Sequence, residues 1–223
     1  MAKLSTPEFD RVTQAIVRLR DLGGRGVLVP GNLIVTAAHC IGWDTSGGLT
    51  LYGDDYREAV EAADGRVFKV TPLAVEPVAD IAILGAVDSQ RSPDEAEAFE
   101  NFCRTTQPVR LAIEHIDPSK PFGAFVFTHD KGVIPIEVQR MVLDDPGLRI
   151  RAEVRIEGGA SGSPVVTERG SLLAVVSNVG FVESDAGCVG PIALVHQSAP
   201  VWLVRRMVDS TIRELLDKAL PMR

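Results

Sequence analysis

Three short strings hold residue types that could do chemistry together: a histidine, an aspartate and a glycine-flanked serine. The first is Thr36-Ala37-Ala38-His39-Cys40, directly after the apolar run Leu33-Ile34-Val35. A histidine at a strand end, flanked by small residues, can be held at the mouth of a cleft. A neutral imidazole there serves as a general base near neutral pH. The second is Val78-Ala79-Asp80-Ile81-Ala82-Ile83-Leu84. Asp80 opens a strongly apolar strand, and a buried carboxylate needs hydrogen bonds, for which a histidine N–H is a suitable donor. The third is Glu157-Gly158-Gly159-Ala160-Ser161-Gly162-Ser163-Pro164. Glycines around Ser161 let the backbone turn sharply, leave Oγ exposed and bring N–H groups to where an oxyanion would form. Taken singly, each string has an ordinary reading too: a structural histidine, a strand-initiating aspartate and a Gly/Ser-rich turn.

The elements that must position these residues are mostly strands. Short apolar runs (Val27–Val29, Leu33–Thr36, Val67–Val70, Ile81–Leu84) are separated by Gly, Pro, Asp or Asn. The second half repeats the pattern at Gly123–Thr128, Val133–Val142, Leu148–Ile156, Pro164–Val166 and Leu172–Val176. Helices are expected at the ends. Thr6 can cap the first, Pro7 suits its first turn, and Phe9, Val12, Ile16 and Leu19 recur at three and four residues. After Pro200, the stripe Val201, Val204, Val208, Ile212, Leu215 and Ala219 predicts a helix packed on the second half. Between Asp88 and Gln107 the acidic, alanine-rich stretch opened by Pro93 predicts a helical connector with a solvated face.

The chain has 223 residues, enough for one large β domain or two small ones. It is 45% apolar and 24% charged, with a mean hydropathy of +0.12. A net charge of −7, with scattered basic residues, argues against nucleic acid and anionic membrane as partners. Residues 1–22 carry no apolar run of signal-peptide length, and no stretch reaches the roughly 20 apolar residues of a membrane span. The cysteines, Cys40, Cys103 and Cys188, are too few and odd in number for a disulfide framework, which predicts reduced thiols and a cytoplasmic location. His115, His129 and His196 lack metal-ligand spacing, so no metal and no cofactor is expected.

Together and in this order, the TAAHC, ADIAIL and GGASGSP strings resemble the signatures of chymotrypsin-like serine proteases. The resemblance runs from about Gly24 to Val204 and is nearest to bacterial members, among them glutamyl endopeptidases and high-temperature-requirement protease domains. It implies an all-β fold of two six-stranded antiparallel barrels, with short N- and C-terminal helices added. The organisation expected is an N-terminal helix over 1–22, a first barrel and connector over 23–105, a second barrel over 106–200 and a helix over 201–223. The resemblance implies a serine endopeptidase with His39, Asp80 and Ser161 as catalytic triad. The backbone N–H groups of Gly159 and Ser161 would form the oxyanion hole. The order His, Asp, Ser also sets the chain apart from α/β-hydrolases, which run Ser, acid, His.

Two departures from the family matter. No cysteine precedes Cys40, so the disulfide that many secreted members make at this position cannot form within the chain. Ala160 stands where digestive and clotting members carry the aspartate that pairs with a newly cut N-terminus. The oxyanion hole is therefore expected to form without N-terminal processing. For substrate binding, the resemblance points to Arg155 and Ile156 before the nucleophile and to Ser177, Asn178 and Val179 on the opposite wall, pairing with the substrate backbone by strand addition. Ile156 on the pocket wall would favour a small or medium apolar side chain before the cleaved bond; Arg155 reaching the pocket would favour an acidic one. Val176 replaces the histidine of glutamyl endopeptidases. The expected partner is a peptide or protein substrate. A second reading makes the chain partner-activated or catalytically silent, with a regulatory protein partner or a peptide in the groove between the barrels.

Overall fold

The computed structural model describes residues 4–42, 57–76, 80–112, 122–128, 132–140, 148–152, 156, 159–177, 194–200, 206 and 208–213. The chain starts with helix α1 (Thr6–Ala15), which has Ser5 at its N-cap and Pro7 in its first turn. It then enters β1 (Ile16–Leu19), β2 (Arg25–Val29), β3 (Leu33–Thr36), β4 (Glu58–Ala62), β5 (Val67–Glu76) and β6 (Ile81–Ala86). These six strands pair in the order β1-β2-β3-β6-β5-β4, and β4 returns to β1, closing an antiparallel barrel. Every residue of β3 is buried, as a β-branched run packed on both faces should be.

Helix α2 (Pro93–Thr105) links the halves, with Pro93 and the acidic residues Asp94 and Glu95 in its first turn, where the helix dipole favours them. Its buried face carries Phe99 and Phe102. Their rings meet Phe68 of β5 at centroid distances of 5.8 Å and 4.9 Å. The second half holds β7 (Phe122–Phe127), β8 (Val133–Arg140), β9 (Leu148–Ala152), β10 (Pro164–Val166), β11 (Leu172–Val176) and β12 (Leu194–Pro200). The second sheet runs in the order β10-β11-β12-β9-β8-β7, all neighbours antiparallel, and β10 also pairs with β7. The chain is thus mostly β, with a closed six-stranded barrel, a second six-stranded sheet and few helices.

Two expectations need correction. The N-terminal helix stops at Ala15 instead of running to residue 22. Ile16 turns to extended backbone (φ −78°, ψ 136°), and Ile16–Leu19 hydrogen-bonds on both edges, to β2 and β4. Ile16 and Leu19 satisfy a helical spacing, but a strand paired on two sides outweighs that local preference. The strand β4 was not among the expected runs, because its sequence Glu-Ala-Val-Glu-Ala has a helix-former's composition. The barrel buries its alternate residues Glu58, Val60 and Ala62. The C-terminal residues 208–213 are helical, and Val208 joins the buried apolar cluster that includes residues of both halves. Ile212 fills the hollow above Gly31 in the β2–β3 turn, so closely that a β-carbon there would lie 2.6 Å from its Cδ1. Of the predicted apolar stripe, Val201, Val204, Leu215 and Ala219 lie outside the described residues.

Candidate active site

Strand register brings His39 and Asp80 together. Strands β3 and β6 are antiparallel neighbours with Thr36 opposite Ala82, so the exit of β3 and the start of β6 share one end of the barrel. A short 3-10 turn, Ala38–Ile41, follows β3 and carries His39. Asp80 stands one residue before β6. Its carboxylate meets His39 twice: the His39 backbone N–H donates to Oδ1 over 2.8 Å, and ring Nδ1 lies 2.7 Å from Oδ2. The Asp80 carbonyl also accepts the Ala38 N–H. Asp80 makes this grip from a left-handed backbone (φ 54°), a conformation that costs a non-glycine residue energy and that short polar side chains tolerate best.

A third donor comes from the other half of the molecule. Ser177, just after β11, donates its hydroxyl to Asp80 Oδ2 over 2.7 Å. This partner was not foreseen. The signal available was a polar residue closing a fully buried apolar strand, and spacing gave no hint of its target. The three donors oppose the cost of burial. Burial pushes the Asp80 carboxyl up, but the hydrogen bonds from the His39 ring, Ser177 and the His39 N–H bring it below its ordinary 3.8. The same bond to Asp80, helped by a contact with the Cys40 side chain and opposed by burial, raises His39 well above its ordinary 6.5.

Ser161 sits in a tight turn closed by the Ser163 N–H donating to the Ala160 carbonyl. The turn is clamped on two sides. Toward its own sheet, the Gly162 N–H donates to the Val176 carbonyl over 2.7 Å, and the Val176 N–H returns to the Ser163 carbonyl. Toward the first barrel, the Ser161 carbonyl accepts the Arg25 N–H over 2.8 Å. Only glycine fits position 162. Its φ is +74°, and a β-carbon would fall 1.9 Å from the Arg25 carbonyl oxygen and 2.6 Å from Thr36 Oγ1, which itself donates to that carbonyl. The serine turn is therefore docked on the ends of β2 and β3, the same barrel end that bears His39 and Asp80.

Of the other predicted site residues, Gly159 is exposed at φ +88° with open space about it. Ile156 is fully buried within the second sheet's apolar cluster. Ser177 is committed through its hydroxyl to Asp80. Arg155, Asn178 and Val179 lie outside the described residues, as do His115, His129 and Cys188; of His196 only the backbone, in β12, is described. Cys40 is a buried free thiol and Cys103 a half-buried one. Among the described residues, no group of three or more His, Cys, Asp and Glu side chains is arranged to hold a metal. Among them, too, no helix is long and apolar enough to cross a membrane.

The sequence model of the trypsin-like peptidase domain matches residues 24–175. The chain belongs to this family. It is a trypsin-like serine peptidase, a hydrolase of peptide bonds. No curated protein matches it in sequence. Among solved structures, it is similar to the Rv3671c protease of M. tuberculosis in its inactive form, with a TM-score of 0.60 and 18% identity over 92% of both chains. The inactive serine-to-alanine mutant of Rv3671c gives 0.61 and 17% over 95% of this chain and 97% of that one. The active form gives 0.59 and 18% over 89% and 81%. At such identities the likeness speaks for the chymotrypsin-like fold.

Proposed function

We propose that this peptidase is an endopeptidase working through a Ser161–His39–Asp80 triad and an acyl-enzyme intermediate. The observation that carries the reading is the convergence of three segments on one barrel end: the His39 turn, Asp80 with its three donors, and the serine turn docked on Arg25. In this reading the second sheet is a complete barrel, residues 106–200, facing the first across the substrate groove. Because Nδ1 of His39 is engaged by Asp80, Nε2 is the nitrogen left to take the Ser161 proton as Oγ attacks the scissile carbonyl. The same nitrogen then delivers that proton to the leaving amine. Asp80 keeps the ring in this tautomer and stabilises its charged form. The N–H groups of Gly159 and Ser161, which have no acceptor among the described residues, would hold the oxyanion. One such donor is worth about 2.7–4 kcal/mol in the transition state. Water repeats the sequence on the acyl-enzyme and releases the product acid.

A partner-activated form of the same enzyme is the second reading; a catalytic hydrogen bond that tightens only on substrate binding is common to both. The reading is tested with a quenched-fluorescence peptide library varied at the residue before the cleaved bond, turned over by the wild type and by His39→Ala. Cleavage after small or medium apolar residues, lost in His39→Ala, is expected. Cleavage after acidic residues would assign the pocket to Arg155, and cleavage confined to Lys or Arg would contradict the pocket altogether. Turnover only after adding a cell fraction would identify the partner-activated form.

A further inference from the structure

Helix α1 and the strand that follows it grip different halves of the molecule. The Phe9 ring stacks on Phe127 of β7, in the second sheet, with centroids 5.8 Å apart and 29° between planes. Two residues on, Arg11 reaches the turn that joins β10 to β11, where Nη2 donates to the carbonyls of Arg169 at 3.2 Å and Gly170 at 2.9 Å. Gly170 lies so close beneath the helix that a β-carbon there would sit 2.7 Å from the Arg11 guanidinium and 3.1 Å from the Glu8 side chain. Directly after Ala15 the chain becomes β1, woven between β2 and β4 of the first barrel. The helix therefore spans the junction, anchored in the second sheet by side chains and in the first barrel by backbone.

The turn that α1 grips is one end of the β10–β11 hairpin. The other end of that hairpin is the active site: the Val176 carbonyl holds Gly162, and Ser177 holds Asp80. The two strands of the hairpin are hydrogen-bonded to each other, Pro164 opposite Val175 and Val165 opposite Ala174, so they link the turn at Gly170 to the serine turn. We infer that Phe9 and Arg11 are positioning residues for Ser161, fixing how the serine turn meets Arg25 and Asp80. The inference rests on the reading of Ser161 as nucleophile. Its sign is opposite to activation by N-terminal cleavage, for loosening α1 lowers turnover. The connector also holds the hairpin: the Leu172 N–H donates to the Arg110 carbonyl and the Ala112 N–H to the Leu172 carbonyl.

The test compares the wild type with Phe9→Ala/Arg11→Ala, with the conservative Phe9→Leu/Arg11→Lys and with Arg11→Ala alone. Each is assayed at a temperature where circular dichroism shows only folded protein. Two quantities are read, the rate of fluorophosphonate labelling of Ser161 and the kcat and KM on a cleaved peptide. The double alanine variant is expected to label and turn over at least tenfold more slowly per folded molecule, with KM changed less than twofold. The conservative pair should recover most of the rate. A lower melting temperature with labelling and kcat within twofold of wild type would overturn the inference, reducing α1 to a packing element. If the double variant does not fold, Arg11→Ala alone should still slow labelling at least threefold, and an unchanged rate there overturns the inference equally. A wild type that never labels would overturn the nucleophile reading and this inference with it. A labelling wild type matched by its variants overturns this inference alone.

Discussion

Replacing Gly162 by alanine tests the docking of the serine turn on the first barrel. The added β-carbon would lie 1.9 Å from the Arg25 carbonyl oxygen, far inside contact distance, and 2.6 Å from Thr36 Oγ1. Both neighbours belong to the barrel, and the first, being backbone, cannot swing away. Three costs follow. An alanine at φ +74° costs about 1–2 kcal/mol in backbone strain. Forcing a methyl into a filled space costs about 1–3 kcal/mol. Displacing Arg25 weakens the bond from Thr36 Oγ1 and the bond from the Arg25 N–H to Ser161, each worth about 0.5–1.5 kcal/mol. The expected loss is about 3–8 kcal/mol, a large share of the roughly 5–15 kcal/mol by which domains are stable. Gly65→Ala is the control: it shares the left-handed backbone (φ +84°) but meets nothing within 4 Å, so it should lose only the strain, about 1–2 kcal/mol. Urea unfolding followed by circular dichroism measures both, and labelling per folded molecule should fall only in Gly162→Ala. Equal losses in the two variants would refute the docking geometry.

Three further outcomes follow from the Asp80 contacts. Because Asp80 raises His39 above 6.5, the neutral base accumulates only at higher pH. The pH profile of kcat/KM should therefore rise with an apparent pKa above 6.5, and Asp80→Asn should lower both that value and the rate; a wild-type value at or below 6.5 would contradict the pairing. The pair's stabilisation has both signs: the His39 part is full below 6.5 and fades as pH rises through its raised pKa, and the Asp80 part is full above 3.8 and fades as pH falls through its lowered one. The urea midpoint advantage of wild type over Asp80→Asn should thus peak between those limits. Ser177→Ala removes one of three donors to a buried carboxylate and should cost about 1.5–3 kcal/mol of stability, together with a rise in the Asp80 pKa followed by NMR. Unchanged stability would show that the hydroxyl is idle.

The parts of the molecule legible in the sequence are those fixed by local chemistry. Leu33–Thr36, Pro164–Val166 and Leu172–Val176 are strands at the residues where apolar, β-branched runs end in turn formers, and Pro93 opens α2 as its place at the first turn requires. The Ala-Ala-His-Cys and Gly-Ala-Ser-Gly strings mark where side chains must be small or turns tight, and Gly162 shows why: the Arg25 carbonyl occupies the space of any side chain. What stayed hidden depends on distant partners. Ile16 and Leu19 fit a helix until β2 and β4 pair with them. Glu58 reads as a surface residue, yet the barrel buries it and its carboxylate accepts the Asp21 N–H. Ile212 is drawn to the first barrel by the absence of a side chain at Gly31, and Ser177 to Asp80 from 97 residues away. Such choices are made by tertiary fit, to which periodicity is blind.

The most direct test of the central claim is fluorophosphonate labelling of the folded wild type, with the adduct counted by intact mass and located by peptide mapping. The account predicts one adduct, on Ser161, absent from Ser161→Ala and much slower to form in His39→Ala. An adduct on another serine, or labelling that persists in Ser161→Ala, would contradict it.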